Sequence, residues 1–290
     1  MEPLLAEKKI IIIGGTSGIG LAAALAFGER GAKVVVVGPD AAGCEAARAR
    51  LGEPHLVLPG DARREATAAR AVDRCRERFG DVDGLYHVAG GSGRRWGDAP
   101  LHECTLEGWE KTLALNLTSV MLSNRAVLRY WLQQERGGSI LNLGSVLGVS
   151  PAPQHFATHA YAAAKSALIG YSRSLAAYYG PHDIRVNVLL PALTETPMAQ
   201  RALGKEEIMT SSAINNRSTA GAPPAPLILP APPPTSCRTK RASPPVRYWR
   251  WMGDGWCGGN WLGLRPRDAG LGLRPSDARW INLENRKREG

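Results

Sequence analysis

The sequence predicts an α/β domain with a doubly wound parallel sheet. Three observations carry that prediction: short β-branched runs that are apolar at every position, stretches of helical periodicity between them, and a glycine-rich turn after the first run. A strand without polar alternation is buried on both faces, and right-handed crossovers place a helix on each face of a parallel sheet. Ligands of such sheets lie beyond the carboxyl ends of the strands.

The elements follow in order. Ile10–Ile13 reads as a buried strand, followed by the glycine turn and an Ala-rich helix around Leu21–Arg30. Gly31 stops that helix, because glycine takes the positive φ that a helix terminus needs. Val34–Val37 is the second strand and Leu56–Leu58 the third. Arg63–Phe79 has helical spacing with a charged outer face, and Gly84–Ala89 returns to strand. Leu106–Trp131 is helical, Ser139–Leu143 a strand, Tyr161–Tyr179 a helix and Arg185–Leu190 a strand.

The formal charge of +10 first suggests an anionic partner such as nucleic acid. Its distribution changes that reading. Residues 1–212 hold 23 Lys and Arg against 21 Asp and Glu, whereas residues 213–290 hold 13 against 5, with 11 of the 21 prolines and 5 of the 8 tryptophans. Two regions are expected: a nearly neutral folded body over 1–212 and a low-complexity Pro/Gly/Arg/Trp-rich tail over 213–290. Ala220–Pro234 is too rich in proline for helix or central strand. Gly263–Ala269 recurs as Gly272–Ala278 with one substitution and no apolar face. Arginines among Trp249, Trp251, Trp256 and Trp261 could bind single-stranded nucleic acid by charge and stacking. With no RNA-binding motif present, composition favours a largely irregular terminus, so nucleic acid is not the expected partner.

Five scattered cysteines, with no C-x-x-C pair and no histidine at ligand spacing, point to a reducing compartment and to no metal. The apolar run at Ile10–Ile13 is too short for a signal-peptide core or a membrane span, so a cytoplasmic setting is expected.

Gly14, Gly18 and Gly20 lie in Ile-Gly-Gly-Thr-Ser-Gly-Ile-Gly, which includes Thr16, Ser17 and Ile19. A turn without side chains lets backbone approach a pyrophosphate, and the helix start behind it offers unpaired N–H groups and partial positive charge. The strand before it and the helix after it turn a weak motif into a specific one.

The spacing of these glycines resembles that of the short-chain dehydrogenase/reductase family, a Rossmann-like fold, and further motifs of that family follow in order. Asp61 and Ala62, in Gly-Asp-Ala, match its adenine-contacting segment. His87-Val88-Ala89-Gly90 occupies the place of Asn-Asn-Ala-Gly. Asn116, Ser145, Tyr161 and Lys165 match the catalytic set, Asn187 the strand asparagine, and Pro191, Thr194, Thr196 and Met198 the segment that closes on the cofactor. The resemblance covers roughly residues 7–205. It implies hydride transfer between a nicotinamide and a carbonyl or alcohol, a small-molecule substrate, and a homo-oligomer.

The residues suit that chemistry. Tyr161 and Lys165 are four apart, so on a helix they share a face. A neighbouring ammonium favours the phenolate, which lets Tyr161 exchange a proton with the substrate oxygen. Ser145 would hydrogen-bond that oxygen. By resemblance, Lys165 also holds the nicotinamide ribose and Asn116 supports a water leading from it.

Four features depart from the family. The Ser145–Tyr161 gap is lengthened by Pro151–His159, which would shape the substrate pocket, with His155 and His159 read as solvated. His87-Val88 replaces two asparagines that would brace the sheet. Gly38 stands where NAD-specific members place an acid, and Pro39 where NADP-preferring ones often have Arg. Asp40 would repel a 2′-phosphate if turned inward, so the cofactor expectation leans to NADP(H) over NAD(H). Finally, the tail lacks the family's last strand and helix, with Arg201–Ile208 starting a lid. An exposed sheet edge would endanger folding. Three readings therefore stand: an oxidoreductase, a catalytically silent isoform or pseudoenzyme that binds cofactor or partners, and a nucleic-acid binder acting through its tail.

Overall fold

A computed structural model describes residues 4–153, 155–199, and two short strands over 248–252 and 255–259. The lid segment, the proline tract and the internal repeat lie outside the described residues. Of the two compact units, Met1–Gly259 and Asn260–Gly290, only the first contains described residues.

The body follows the expected alternation. Strands β1 (Lys9–Ile13), β2 (Lys33–Gly38), β3 (Leu56–Pro59), β4 (Gly84–His87), β5 (Gly138–Leu143) and β6 (Ile184–Leu190) form a parallel sheet in the order β3-β2-β1-β4-β5-β6. The order reverses between β1 and β4, which opens a crevice at their carboxyl ends. Helices α1 (Gly18–Glu29), α2 (Ala41–Leu51), α3 (Glu65–Phe79), α4 (Leu106–Leu113), α5 (Ser119–Gln133) and α6 (His159–Tyr179) make the crossovers.

Strand periodicity divides the core in two. Ile11, Ile13, Val35 and Val37 pack with Val72 and Cys75 of α3 and Val127 and Trp131 of α5. Their neighbours Ile10, Ile12, Val34 and Val36 pack with Leu21 and Phe27 of α1 and Cys44 and Ala47 of α2. Successive side chains leave a strand on opposite faces, so one apolar run serves both cores.

Two elements differ from the sequence reading. Helix α2 was not expected, although Asp40 accepts a hydrogen bond from the Gly43 amide at 2.7 Å and Gly52 ends the helix at φ +65°. Aspartate before an Ala-rich stretch and glycine after it are helix start and stop signals. The second difference lies in the tail. Residues expected to be irregular supply β7 (Tyr248–Met252), parallel to β6, and β8 (Gly255–Gly259), antiparallel to β7. Without β7 the edge of β6 would present unpaired N–H and C=O groups, and a Tyr-Trp-Arg-Trp-Met segment has the aromatic content that suits a strand.

Candidate functional site

The glycine turn sits between β1 and α1, with the Gly14 and Gly15 amides donating to the Val37 carbonyl at 2.8 and 3.0 Å. Gly14 adopts φ +85°, and a Cβ there would collide with the Ala89 backbone at the end of β4. A Cβ at Gly20 would collide with the Gly14 carbonyl. The turn thus needs glycine both for its conformation and for its approach to neighbouring backbone. Ser17, the residue before α1, makes no side-chain cap, so it leaves the amides of the first turn to another acceptor. A cavity of 690 Å³ runs from Thr16, Ser17, Gly18 and Pro197 along α1 and α2 as far as Glu29 and Arg50.

Across the strand ends, Thr16 packs on Gly38, whose carbonyl accepts from the Gly60 amide at 2.7 Å. Asp61 follows directly, and Ala62 packs on the core. The Asp61 carboxylate is bound by the Arg63 guanidinium at 2.7 Å, which holds its pKa below the ordinary carboxylate range. Asp40, N-capping α2, is turned toward the Gly43 amide.

The four proposed catalytic residues come from three elements, with Tyr161 and Lys165 together on α6. Ser145 follows β5 and starts a single 3-10 turn, Val146–Gly148, where its hydroxyl accepts from the Leu147 amide at 3.2 Å. That turn lies flush on α6: a Cβ at Gly148 would stand 2.7 Å from the Ser166 nitrogen. Tyr161 stands in the first turn of α6, its phenol near enough to Ser145 for that side chain to favour the phenolate. Lys165, only 2% exposed, stands one helical turn on, with Nζ 5.7 Å from the centre of the Tyr161 ring and donating to the Leu143 carbonyl at 2.7 Å.

The charges in this cluster are set by burial. Loss of water raises the Tyr161 phenol above its ordinary value, and the Ser145 side chain lowers it in part. Burial lowers the Lys165 ammonium to about 8. The sequence reading expected the ammonium to pull the phenol down; desolvation instead raises it.

Asn116 lies in a π-helical turn, Ala114–Thr118, joining α4 and α5. Its side chain is fully committed: Oδ1 accepts from the Gly91 amide at 3.0 Å, and Nδ2 donates to the carbonyls of Gly91 and Thr112 at 2.9 and 3.0 Å. It thereby ties the loop after β4 to the helix. A Cβ at Gly90 would stand 2.8 Å from Asn116 Oδ1 and 3.2 Å from Lys165 Nζ. Gly90, Asn116 and Lys165 therefore converge.

On the strand after α6, Asn187 pairs in register with Leu141, and the Pro191 carbonyl accepts from the Val146 amide at 3.1 Å. The Thr194 hydroxyl bonds the Ala192 carbonyl and the Thr196 hydroxyl the Thr194 carbonyl, while the Thr196 side chain faces Gly18. The Met198 side chain lies outside the described residues. The structure brings Ser145, Tyr161, Lys165, Asn116 and Gly90 together and sets Thr196 against the glycine turn. Asp61 stands apart, at the end of the edge strand β3.

Two residues gain roles that local sequence did not show. His87, 1% exposed, has Nδ1 2.7 Å from Ser123 Oγ and Nε2 3.2 Å from both the Ala89 carbonyl oxygen and Ser119 Oγ. His87 itself thus braces β4 against α5, where the sequence reading saw lost asparagines. Asp98, also buried, accepts from the Ala160 and Tyr161 amides at 3.0 Å each.

Among the described residues no cluster suits a metal ion, and no helix is long and apolar enough to cross a membrane. The doubly wound sheet, with a glycine turn at the β1 crevice and a Ser-Tyr-Lys set beyond β5, is the arrangement of the oxidoreductase family that the sequence resembles. Residues 8–207 match the short chain dehydrogenase family, and the chain belongs to that family.

Its relatives agree. Momilactone A synthase of Oryza sativa subsp. japonica is 36% identical over 225 residues, covering 75% of this chain and 79% of that protein. The 3-ketoacyl-(acyl-carrier-protein) reductase from Brucella melitensis, solved with NADH, is 28% identical with a TM-score of 0.62, covering 68% of this chain and 79% of that one. An actinorhodin polyketide ketoreductase solved with NADPH is also 28% identical with a TM-score of 0.62, covering 68% and 74%.

Proposed function

We propose that this chain is an NADP(H)-using carbonyl reductase or alcohol dehydrogenase whose acid/base group is Tyr161. The observation that carries the reading is the convergence of Tyr161 with buried Ser145 and Lys165, Lys165 Nζ standing 5.7 Å from the centre of the Tyr161 ring. When bound, the nicotinamide supplies or accepts the hydride at carbon. Tyr161 donates or takes the proton at oxygen, and Ser145 steadies the charge that develops there. The small-side-chain cradle at Gly14, Gly18, Gly20 and Gly90 suits a dinucleotide, and by the family resemblance Lys165 would hold its ribose. The described residues between 4 and 199 carry these groups, and a small carbonyl or alcohol is the substrate.

The lean to NADP(H) rests on charge. Gly38 brings no carboxylate to the end of β2, Asp40 is engaged at the start of α2, and Asp61 is neutralised by Arg63. Its structural neighbours occur with either cofactor, so local electrostatics has to decide.

The test is NADPH and NADH oxidation with cyclohexanone, ethyl acetoacetate and a steroid ketone, comparing wild type with Tyr161→Phe. Loss of proton transfer should lower kcat by roughly 10²–10⁴-fold while leaving cofactor affinity intact. Equal background rates in both proteins refute the oxidoreductase reading and leave the silent-isoform one. Binding NADH about tenfold more tightly than NADPH in a fluorescence titration, a difference of about 1.4 kcal/mol, refutes the cofactor choice.

A further inference from the structure

Helix α6 carries both Tyr161 and Lys165, so the angle at which it enters the site sets where the phenol stands. The residue that precedes it, Thr158, makes no side-chain cap. The cap comes instead from Asp98, more than sixty positions earlier in the chain. Asp98 Oδ1 accepts from the Ala160 amide and Oδ2 from the Tyr161 amide, each at 3.0 Å, and the residue is 2% exposed. One oxygen is thus bonded to the backbone of the acid/base residue itself.

The loop that delivers Asp98 is tightly built. The Asp98 amide closes onto the Gly93 carbonyl at 3.2 Å, and Gly97 turns at φ +99°. Thr105, which caps α4, donates its amide to the Gly97 carbonyl at 3.1 Å and its hydroxyl to the Trp96 carbonyl at 3.2 Å. A Cβ at Gly93 would stand 2.8 Å from Asp98 Cβ, so glycine there makes room for the aspartate. The His159 amide also points to the Ala99 carbonyl, at 3.5 Å. The first turn of α6 is therefore fastened to the loop between β4 and α4.

We infer that Asp98 is a positioning residue, whose carboxylate holds the first turn of α6 so that the Tyr161 hydroxyl meets Ser145 and the substrate oxygen. The inference rests on the reading of Tyr161 as the acid/base group. A carboxylate at a helix start satisfies orphan amides and complements the dipole. Reacting groups held in line lose rate steeply when displaced, by on the order of 10²-fold for a shift near 1 Å.

The experiment uses the full chain with Asp98→Asn and Asp98→Ala. Amide hydrogen exchange in the peptide spanning Ala160 and Tyr161 should quicken by about tenfold or more in the alanine variant, as local opening there becomes easier. With the ketone that wild type reduces best, kcat should fall by roughly 10–10²-fold while KM and NADPH affinity stay within about threefold. Asparagine, which keeps one acceptor oxygen, should recover part of kcat. If the alanine variant fails to fold by circular dichroism, the asparagine variant carries the same measurements. Unchanged exchange, or kcat within about twofold of wild type, overturns the inference. So does a parallel loss of kcat and NADPH affinity, the mark of general damage. If wild type reduces none of the ketones, the functional reading fails, and the inference with it. An active wild type with an equally active Asp98→Ala variant removes the inference alone.

Discussion

Lys165 Nζ stands 5.7 Å from the centre of the Tyr161 ring and donates to the Leu143 carbonyl at 2.7 Å. The ammonium is thus tied to the end of β5, the strand that leads into Ser145. One hydrogen bond couples the sheet to the helix that carries the phenol, and both ionisable groups share a water-poor site.

That burial gives Lys165 a measurable pH signature. Its folded pKa of about 8 lies below the ordinary 10.5, so between those values the unfolded chain holds more protons. Stability from this group therefore rises with pH, and the contribution near about pH 10 should exceed that near about pH 8 by about 2 kcal/mol. Urea unfolding of wild type and Lys165→Met at both pH values checks it. The difference between the two proteins isolates Lys165 from tyrosines and Cys75, which titrate with the opposite sign. Equal pH slopes would contradict the assignment.

His87 acts at the acid end. Burial first, and then the nearby Lys165 charge, lower its pKa from 6.5 to about 3, so the folded chain keeps the ring neutral while the unfolded chain protonates it. Stability from this site is present above about pH 6.5 and is lost as pH falls toward about 3. Between about pH 6.5 and about pH 5, wild type should lose about 2 kcal/mol more than His87→Asn. Denaturant titrations at the two pH values measure it, and parallel losses would show that the ring titrates freely.

Two glycines separate close approach from simple flexibility. Gly14→Ala meets both a positive φ and the Ala89 backbone, so it should cost about 1–3 kcal/mol and abolish NADPH fluorescence enhancement. Gly170, inside α6, has open space where a Cβ would stand. Gly170→Ala should stabilise the chain by about 0.5–1 kcal/mol without altering cofactor binding. Thermal melting with and without NADPH distinguishes the pair, and a tolerated Gly14→Ala would undo the account of the turn.

Much of this was legible in the amino-acid order because it is local or periodic. The runs Ile10–Ile13 and Val34–Val37 announce doubly buried strands, and Gly31 marks a helix end. The four-residue step from Tyr161 to Lys165 fixes a shared helix face wherever that helix is placed. Helix α2 carried a legible signal too, in Asp40 and Gly52, but its small side chains blur the apolar stripe.

Long-range partners and water exclusion were not legible. Nothing near Asp98 in the chain shows that it will meet the Tyr161 amide, because the β4–α4 loop and the start of α6 become neighbours only when β4 and β5 pair. His87 reads as a substitution for asparagine until Ser119 and Ser123 of α5 close around it. The seventh strand depends on the open edge of β6. The sequence alone determined the sheet, the glycine turn and the candidates for the reacting groups. The tertiary structure decided which carboxylates are neutralised, which amides are capped, and how far burial moves Tyr161 and Lys165, since desolvation depends on what surrounds a group and not on its neighbours along the chain.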